Sequence, residues 1–316
     1  NVGRSGLKVS EVSIGGWLTF GGSVDADASS EILLAAIEGG VNFVDLADVY
    51  ARGRAEEVFG GFLRQLTGHH GRQRSELVIS SKVFWPMSDD PNDRGLSRKH
   101  IMESCERSLR RLGTDYIDLY FCHRWDENTP VEETVRAMDD LVRQGKILYW
   151  GTSVWSDEQL HAGASAARAR NVDLPVVEQP RYNLLDRSIE GGVMQACEEL
   201  GMGLVVWSPL AGGLLSGKYN DGIPAGSRGA RTEWLKEHLT DAHVARVRRL
   251  TEIAQGLDLT TSQLALAWVL QHSAISSVIT GATSVAQVLE NLRAAEVRLE
   301  PSVMRAIDAL FPVDAS

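Results

Sequence analysis

The chain has 316 residues, 43% hydrophobic and 23% charged, with 32 basic against 42 acidic residues and a net charge of −10. That composition can fill a large core, while the negative balance argues against a general nucleic-acid or anionic-membrane surface and requires a local basic cluster for any phosphate-bearing ligand. Cys105, Cys122 and Cys197 are odd in number and lack C-x-x-C spacing, which argues against a disulfide scaffold or structural zinc and predicts reduced, buried thiols.

Reduced thiols make a cytoplasmic protein the expectation, and in chain order Asn1-Val2-Gly3-Arg4 has no apolar h-region, so no signal peptide is expected. Residues 7–10 are expected to form part of a short hairpin over the floor of the fold. Strand-like runs rich in β-branched and aromatic residues then recur at 12–14, 42–45, 77–82, 117–122, 147–152, 176–179, 204–207 and 277–279. Helical periodicity lies between them. The pattern at 30–39 stops on Gly39-Gly40, and that at 98–112 stops on Gly113. The helix at 130–144 is expected to open with Thr129 as N-cap and Pro130 at its first position. Further helices are expected at 157–170, 189–200, 241–256 and 284–294, with two extra ones at 262–271 and 302–310.

Eight strands, each followed by a helix, predict an α/β fold, a (β/α)8 TIM barrel forming one domain over 1–316. A doubly wound dinucleotide fold would need G-x-G-x-x-G after the first strand. That position reads Ile14-Gly15-Gly16-Trp17-Leu18-Thr19, which does not fit. The apolar stretch around Gly203-Leu204-Val205-Val206-Trp207 is too short to span a bilayer.

The chemistry is concentrated at strand ends. Phe43-Val44 closes on Asp45, with Tyr50 five positions later; Leu77 to Ser81 closes on Lys82; Leu119 to Cys122 closes on His123. Unpaired ionisable groups are costly to desolvate, so buried strands have no structural reason to end this way. Only six of the 32 cations are Lys, which makes a Lys at such an end less casual, and Lys can shift its pKa where Arg cannot. In a barrel the four side chains converge at the C-terminal mouth. A phenol near pKa 10 is a weak acid, but a neighbouring ammonium favours the phenolate. Tyr50 would then protonate a carbonyl oxygen, Lys82 tune it, Asp45 hold Lys82, and His123 orient the carbonyl. Asp48 is a rival for the place of Asp45.

These residues lie in motifs through which the chain resembles the aldo-keto reductase superfamily, in the branch of the voltage-gated potassium channel β-subunits and their bacterial relatives. The motifs include Gly16-Trp17-Leu18-Thr19-Phe20-Gly21-Gly22, Asp45 to Tyr50, Ser81-Lys82-Val83-Phe84-Trp85 and Arg94 to His100. Later ones are Asn128-Thr129-Pro130, Tyr149-Trp150-Gly151-Thr152-Ser153, Trp207-Ser208-Pro209-Leu210-Ala211, Ser216-Gly217-Lys218-Tyr219 and Glu290-Asn291-Leu292. The resemblance implies a reductase that moves hydride from NADPH to an aldehyde or ketone, with Asp45, Tyr50, Lys82 and His123 as its catalytic four. Channel subunits generally have Asn where this chain has His123, which favours turnover. The branch also implies a homotetramer or larger ring.

A nicotinamide cofactor would need a flat partner and polar contacts at strand ends. Trp207 would stack on the ring, while Ser153 and Gln179 would bind its carboxamide, and the resemblance supports all three. It also places Gly16 and Trp17 beside the cofactor. Where relatives carry Asn or Arg after the serine, this chain has Val154. Residues 208–240 form a 33-residue connection rich in glycine, longer than ordinary loops. It resembles the family's lid over the dinucleotide, with Ser208, Pro209, Leu210 and Lys218 near the pyrophosphate. After the eighth strand, Gly281 and the helix start beyond it suit a phosphate. The resemblance assigns Gly281, Thr283, Gln287, Glu290 and Asn291 to the adenosine end, with Arg228 and Thr283 at a 2′-phosphate and Glu290 at the adenine amine. NADPH is therefore expected over NADH.

Trp17, Trp85 and Trp125 follow strands one, three and four and would wall an apolar substrate pocket. Arg124 would suit an anionic substrate, in an orientation that the sequence leaves open. Two other functions remain. One is a Schiff-base aldolase using Lys82; the other is an NADPH-binding redox sensor acting on a partner.

Overall fold

Eight parallel strands close into a barrel because the first pairs with the last: β1 (Val12–Gly15), β2 (Phe43–Asp45), β3 (Val78–Val83), β4 (Ile117–Cys122), β5 (Ile147–Thr152), β6 (Val177–Glu178), β7 (Gly203–Trp207) and β8 (Ile275–Thr280). This architecture comes from a computed structural model, which describes residues 1–17, 19–22 and 24–313. Leu18, part of the glycine-rich motif noted above, lies outside the described residues. Parallel neighbours need crossovers, and the intervening helices cover the outer face, so β3 and β4 are buried along their whole length. Apolar side chains therefore fill two spaces. A small cluster including Phe43, Leu119, Phe121, Val177 and Val205 fills the barrel, and a much larger one joins strands to helices.

Several helices start and stop where the sequence signals them. Arg98–Leu112 is capped by Ser97 and ends at Gly113, and Asp157–Arg170 opens with a Ser156–Gln159 capping box. Others depart from expectation. The helix expected from 130 runs Val131–Arg143 with Pro130 at its N-cap, because the Thr129 hydroxyl bonds to Asp126 instead. The one expected over 189–200 splits at Gly191-Gly192 into a short turn, Ser188–Glu190, and Val193–Leu200. Arg54–His69, the crossover from β2 to β3, gives little start signal, since Gly53 stands at its N-cap with φ 88° and offers no side-chain cap. The two extra helices are Thr261–Leu270 and Pro301–Leu310.

Residues 1–10 form no paired hairpin. A bond from Val2 N to Leu7 O closes a tight loop instead, and Val2 plugs the N-terminal end of the barrel against the inner cluster. The floor is covered as expected, but by a looped plug. The 208–240 segment is likewise not plain loop, containing helical turns at Ala211–Ser216, Arg228–Arg231 and Glu233–His238. Among the described residues, no helix is long and apolar enough to cross a membrane.

Candidate active site

Parallel closure brings the ends of β2, β3 and β4 side by side, with Asp45 in register with Ser80 and Lys82 with Phe121. Lys82 is fully buried, and its ammonium has three N–H groups and three acceptors. Nζ lies 2.7 Å from Asp45 Oδ2, 2.7 Å from the Leu46 carbonyl oxygen and 2.9 Å from the Tyr50 hydroxyl. The Asp45 carboxylate is also fully used, since its Oδ1 accepts from Ser80 Oγ at 2.7 Å and from Gln179 Nε2 at 2.9 Å. Tyr50 reaches this pair because the chain after β2 turns sharply. Ala51, Arg52 and Gly53 follow it at φ 48°, 53° and 88°, a left-handed run that non-glycine residues adopt only under constraint.

The rivalry between the two aspartates resolves by direction. Asp48 turns away from Lys82: its Oδ2 accepts from Ser104 Oγ at 2.7 Å, and its buried Oδ1 has no partner. Burial raises its pKa to about 7, and the nearby Glu56 adds to the effect.

Burial also pushes the Tyr50 phenol well above its usual value, with the Asp45 charge acting in the same direction. The expected lowering by Lys82 is therefore not the net result. The hydroxyl keeps its proton, while the Lys82 N–H aimed at its oxygen favours the phenolate once that proton leaves. Burial, then Lys82 and Arg124, hold His123 well below its usual pKa, so its imidazole is neutral. The His123 ring centroid is 6.0 Å from that of Tyr50, and its buried Nδ1 has no partner. A phenol and a neutral imidazole thus stand side by side at the strand ends. That pairing suits donation to a developing alkoxide.

Of the two expected carboxamide ligands, Ser153 donates to the Gln179 carbonyl at 2.9 Å, and Gln179 gives its amide N–H to Asp45. Gln179 thereby ties the Ser153 turn to the ion pair. Trp207 ends β7 half-buried, with Trp17 edge-on at 6.3 Å between centroids. Gly16 donates its N–H to Asp45 O at 2.9 Å, and a side chain there would strike Leu46. The backbone then loosens into a run of positive φ at Ser208, Ala211, Gly212 and Gly213, between which lie Pro209 and Leu210. Lys218 closes over this run, so near that a Cβ on Gly213 would lie 2.7 Å from its Nζ. The Ala211 and Gly213 amides are spent on Ser208 O and Leu210 O, so the Lys218 ammonium is the group here that fits a pyrophosphate.

At the other end, a Cβ on Gly281 would meet only the Thr19 methyl, at 3.9 Å, while Gln287 Oε1 accepts from Thr283 N at 2.8 Å and faces its hydroxyl. Glu290 Oε1 accepts from Thr260 at 2.8 Å, which leaves its other oxygen for an adenine amine. Asn291 is buried beside it, and Arg228 is partly buried at the start of the Arg228–Arg231 turn. Trp85 is 37% exposed and stands edge-on to His123 at 6.3 Å. Trp125 packs instead on Trp155, with centroids 4.7 Å apart.

The structure adds residues that the sequence reading missed. Glu178, fully buried at the end of β6, accepts from Thr152 Oγ1 at 2.5 Å and from Val154 N at 2.6 Å, fixing the turn that carries Ser153. The signal was available, because Glu178 is another acid ending a buried strand. Asn183 donates from Nδ2 to Ser208 O at 3.0 Å and so pins the start of the 208–240 segment; no spacing announced it.

Residues 11–311 match the aldo/keto reductase family. Two proteins named as probable voltage-gated potassium channel subunit beta are each 46% identical to this chain. One, from Oryza sativa subsp. japonica, aligns over 317 residues, 98% of this chain and 95% of the relative. The other, from Arabidopsis thaliana, aligns over 318 residues with the same coverage.

Proposed function

The chain belongs to the aldo/keto reductase family, and from that premise we propose that it is an NADPH-dependent enzyme reducing aldehydes or ketones to alcohols. The observation that carries this reading is the buried contact of Lys82 Nζ with both Asp45 and Tyr50. When bound, a reduced nicotinamide supplies the hydride. The protein's part is to place a carbonyl oxygen between the Tyr50 hydroxyl and the His123 imidazole. Tyr50 releases its proton as the oxygen becomes an alkoxide, and Lys82 stabilises the phenolate left behind. Asp45, held in turn by Ser80 and Gln179, keeps the ammonium charged and aimed.

Residues at the strand ends and in the 208–240 segment fit that cofactor. Trp207 offers a half-exposed ring, Lys218 over the Gly212-Gly213 run offers an anion site, and Arg228 offers a cation at the 2′-phosphate position. An aldolase is a poorer fit. All three Lys82 N–H groups are engaged by acceptors, an arrangement for an ammonium and not for a free amine nucleophile.

The relatives' name favours a second reading, a dinucleotide-binding subunit that regulates a partner. Steady-state NADPH oxidation over a panel of aldehydes, dicarbonyls and ketones separates the two. Turnover in the ordinary range of about 1–10³ s⁻¹ with some carbonyl supports the enzyme. Tight NADPH binding with no more than a single slow oxidation across the panel supports the subunit.

A further inference from the structure

Seven arginines are partly buried in the described structure, and five of them, among them Arg74, Arg111 and Arg187, hold a carboxylate within 4.0 Å. Arg124 and Arg228 hold none among the described residues. A guanidinium that gives up part of its hydration without an acid partner is a cost the rest of the fold avoids. Arg228 is matched to the proposed 2′-phosphate. Arg124 does not.

Its place is specific. Arg124 follows His123 directly, and its Nη1 donates to the His123 carbonyl. The guanidinium carbon lies 5.5 Å from the Trp85 ring centroid, and Trp85 itself stands edge-on to His123. Tyr50, His123, Trp85 and Arg124 therefore form a continuous wall leading outward from the proton donor. The acid that most nearly balances the Arg124 charge is Glu178, yet it makes no ion pair with it. Its oxygens are bound by the Thr152 hydroxyl and the N–H of Val154 and Trp155.

We propose that Arg124 is a substrate anchor, and that the preferred substrates are aldehydes or ketones carrying a carboxylate on an apolar or aromatic body. One nitrogen is committed to His123 and fixes the plane, leaving the remaining N–H groups to take a carboxylate in fork geometry. The Trp85 face shields that contact from water and lies beside the body of the substrate. This rests on the reductase reading of the same site, and extends it from carbonyl compounds in general to anionic ones.

The test uses a matched pair, 4-carboxybenzaldehyde and its neutral methyl ester, with wild type, Arg124→Gln and Arg124→Lys. In wild type, kcat/KM should favour the carboxylate by about tenfold or more. Arg124→Gln should bring the ratio close to one, mainly through KM, and Arg124→Lys should restore part of it. An unchanged ratio in Arg124→Gln overturns the proposal. Calorimetric binding of benzoate and benzamide to the NADPH-loaded protein reads the same anchor without turnover. Benzoate should bind more tightly to wild type and lose that advantage in Arg124→Gln; equal affinities in wild type overturn the anchor. If neither aldehyde is reduced while benzoate is still selected, the reductase reading fails and the anchor stands.

Discussion

The Lys82 ammonium nitrogen lies 2.9 Å from the Tyr50 hydroxyl and 2.7 Å from Asp45 Oδ2, so one buried cation links the proton donor to its counter-charge. Breaking such a pair from one side leaves the other charge uncompensated, which typically costs about 3–5 kcal/mol. Lys82→Met should lower unfolding stability by about that amount. Adding Asp45→Asn should recover part of it, because the orphaned carboxylate is gone. Urea unfolding of the two single variants and the double variant measures the coupling. A loss under about 1 kcal/mol in Lys82→Met would show that the pair is not desolvated as described.

Asp48 gives a pH signature. Its carboxyl is raised from 3.8 to about 7, mainly by burial, so the folded protein binds a proton there that the unfolded chain has already released. Its contribution to stability is therefore greatest below the unfolded value and falls as pH rises through this window. Asp48→Asn removes that loss. The difference in Tm between the variant and wild type should grow in the variant's favour from pH 4 to about pH 7 and then level off. A difference that is constant with pH would contradict the buried, partnerless oxygen.

Much of this was legible, for reasons that can be named. Asp45, Lys82 and His123 stood out because each closes a run of buried strand residues, where charge is costly. The choice of Asp45 over Asp48 followed from the same logic. Ser97 and Ser156 announced their helices through side-chain caps, whereas Arg54–His69 begins at a left-handed glycine and announces little. The net direction of the Tyr50 pKa was not legible, because it depends on how completely the site excludes water. Nor was Asn183, whose partner Ser208 is 25 residues away and meets it only once β6 and β7 are side by side.

Val154 stands at φ 57°, an uncommon conformation for a β-branched residue, while its N–H is held by Glu178. Asparagine tolerates this backbone far better, and the bond to Glu178 is made by the backbone, so it survives the change. Val154→Asn should raise stability by about 1 kcal/mol, read as a shift in urea midpoint at constant m-value. No gain would mean that the turn carries no strain.

Arg228 is the cation proposed at the 2′-phosphate. Arg228→Gln should weaken NADPH binding about tenfold while leaving NADH affinity within a factor of two, the pattern of one lost charged contact. Titration of cofactor fluorescence reads both constants. Equal weakening for the two cofactors would place Arg228 elsewhere along the dinucleotide.

Carbonyl reduction at this site depends on the Tyr50 hydroxyl giving its proton to the reacting oxygen. Single-turnover reduction of an aldehyde by NADPH-loaded protein, wild type against Tyr50→Phe, measures this directly. The chemical step should slow by about 10²–10⁴-fold in the variant, with NADPH affinity nearly unchanged. Equal single-turnover rates would contradict it.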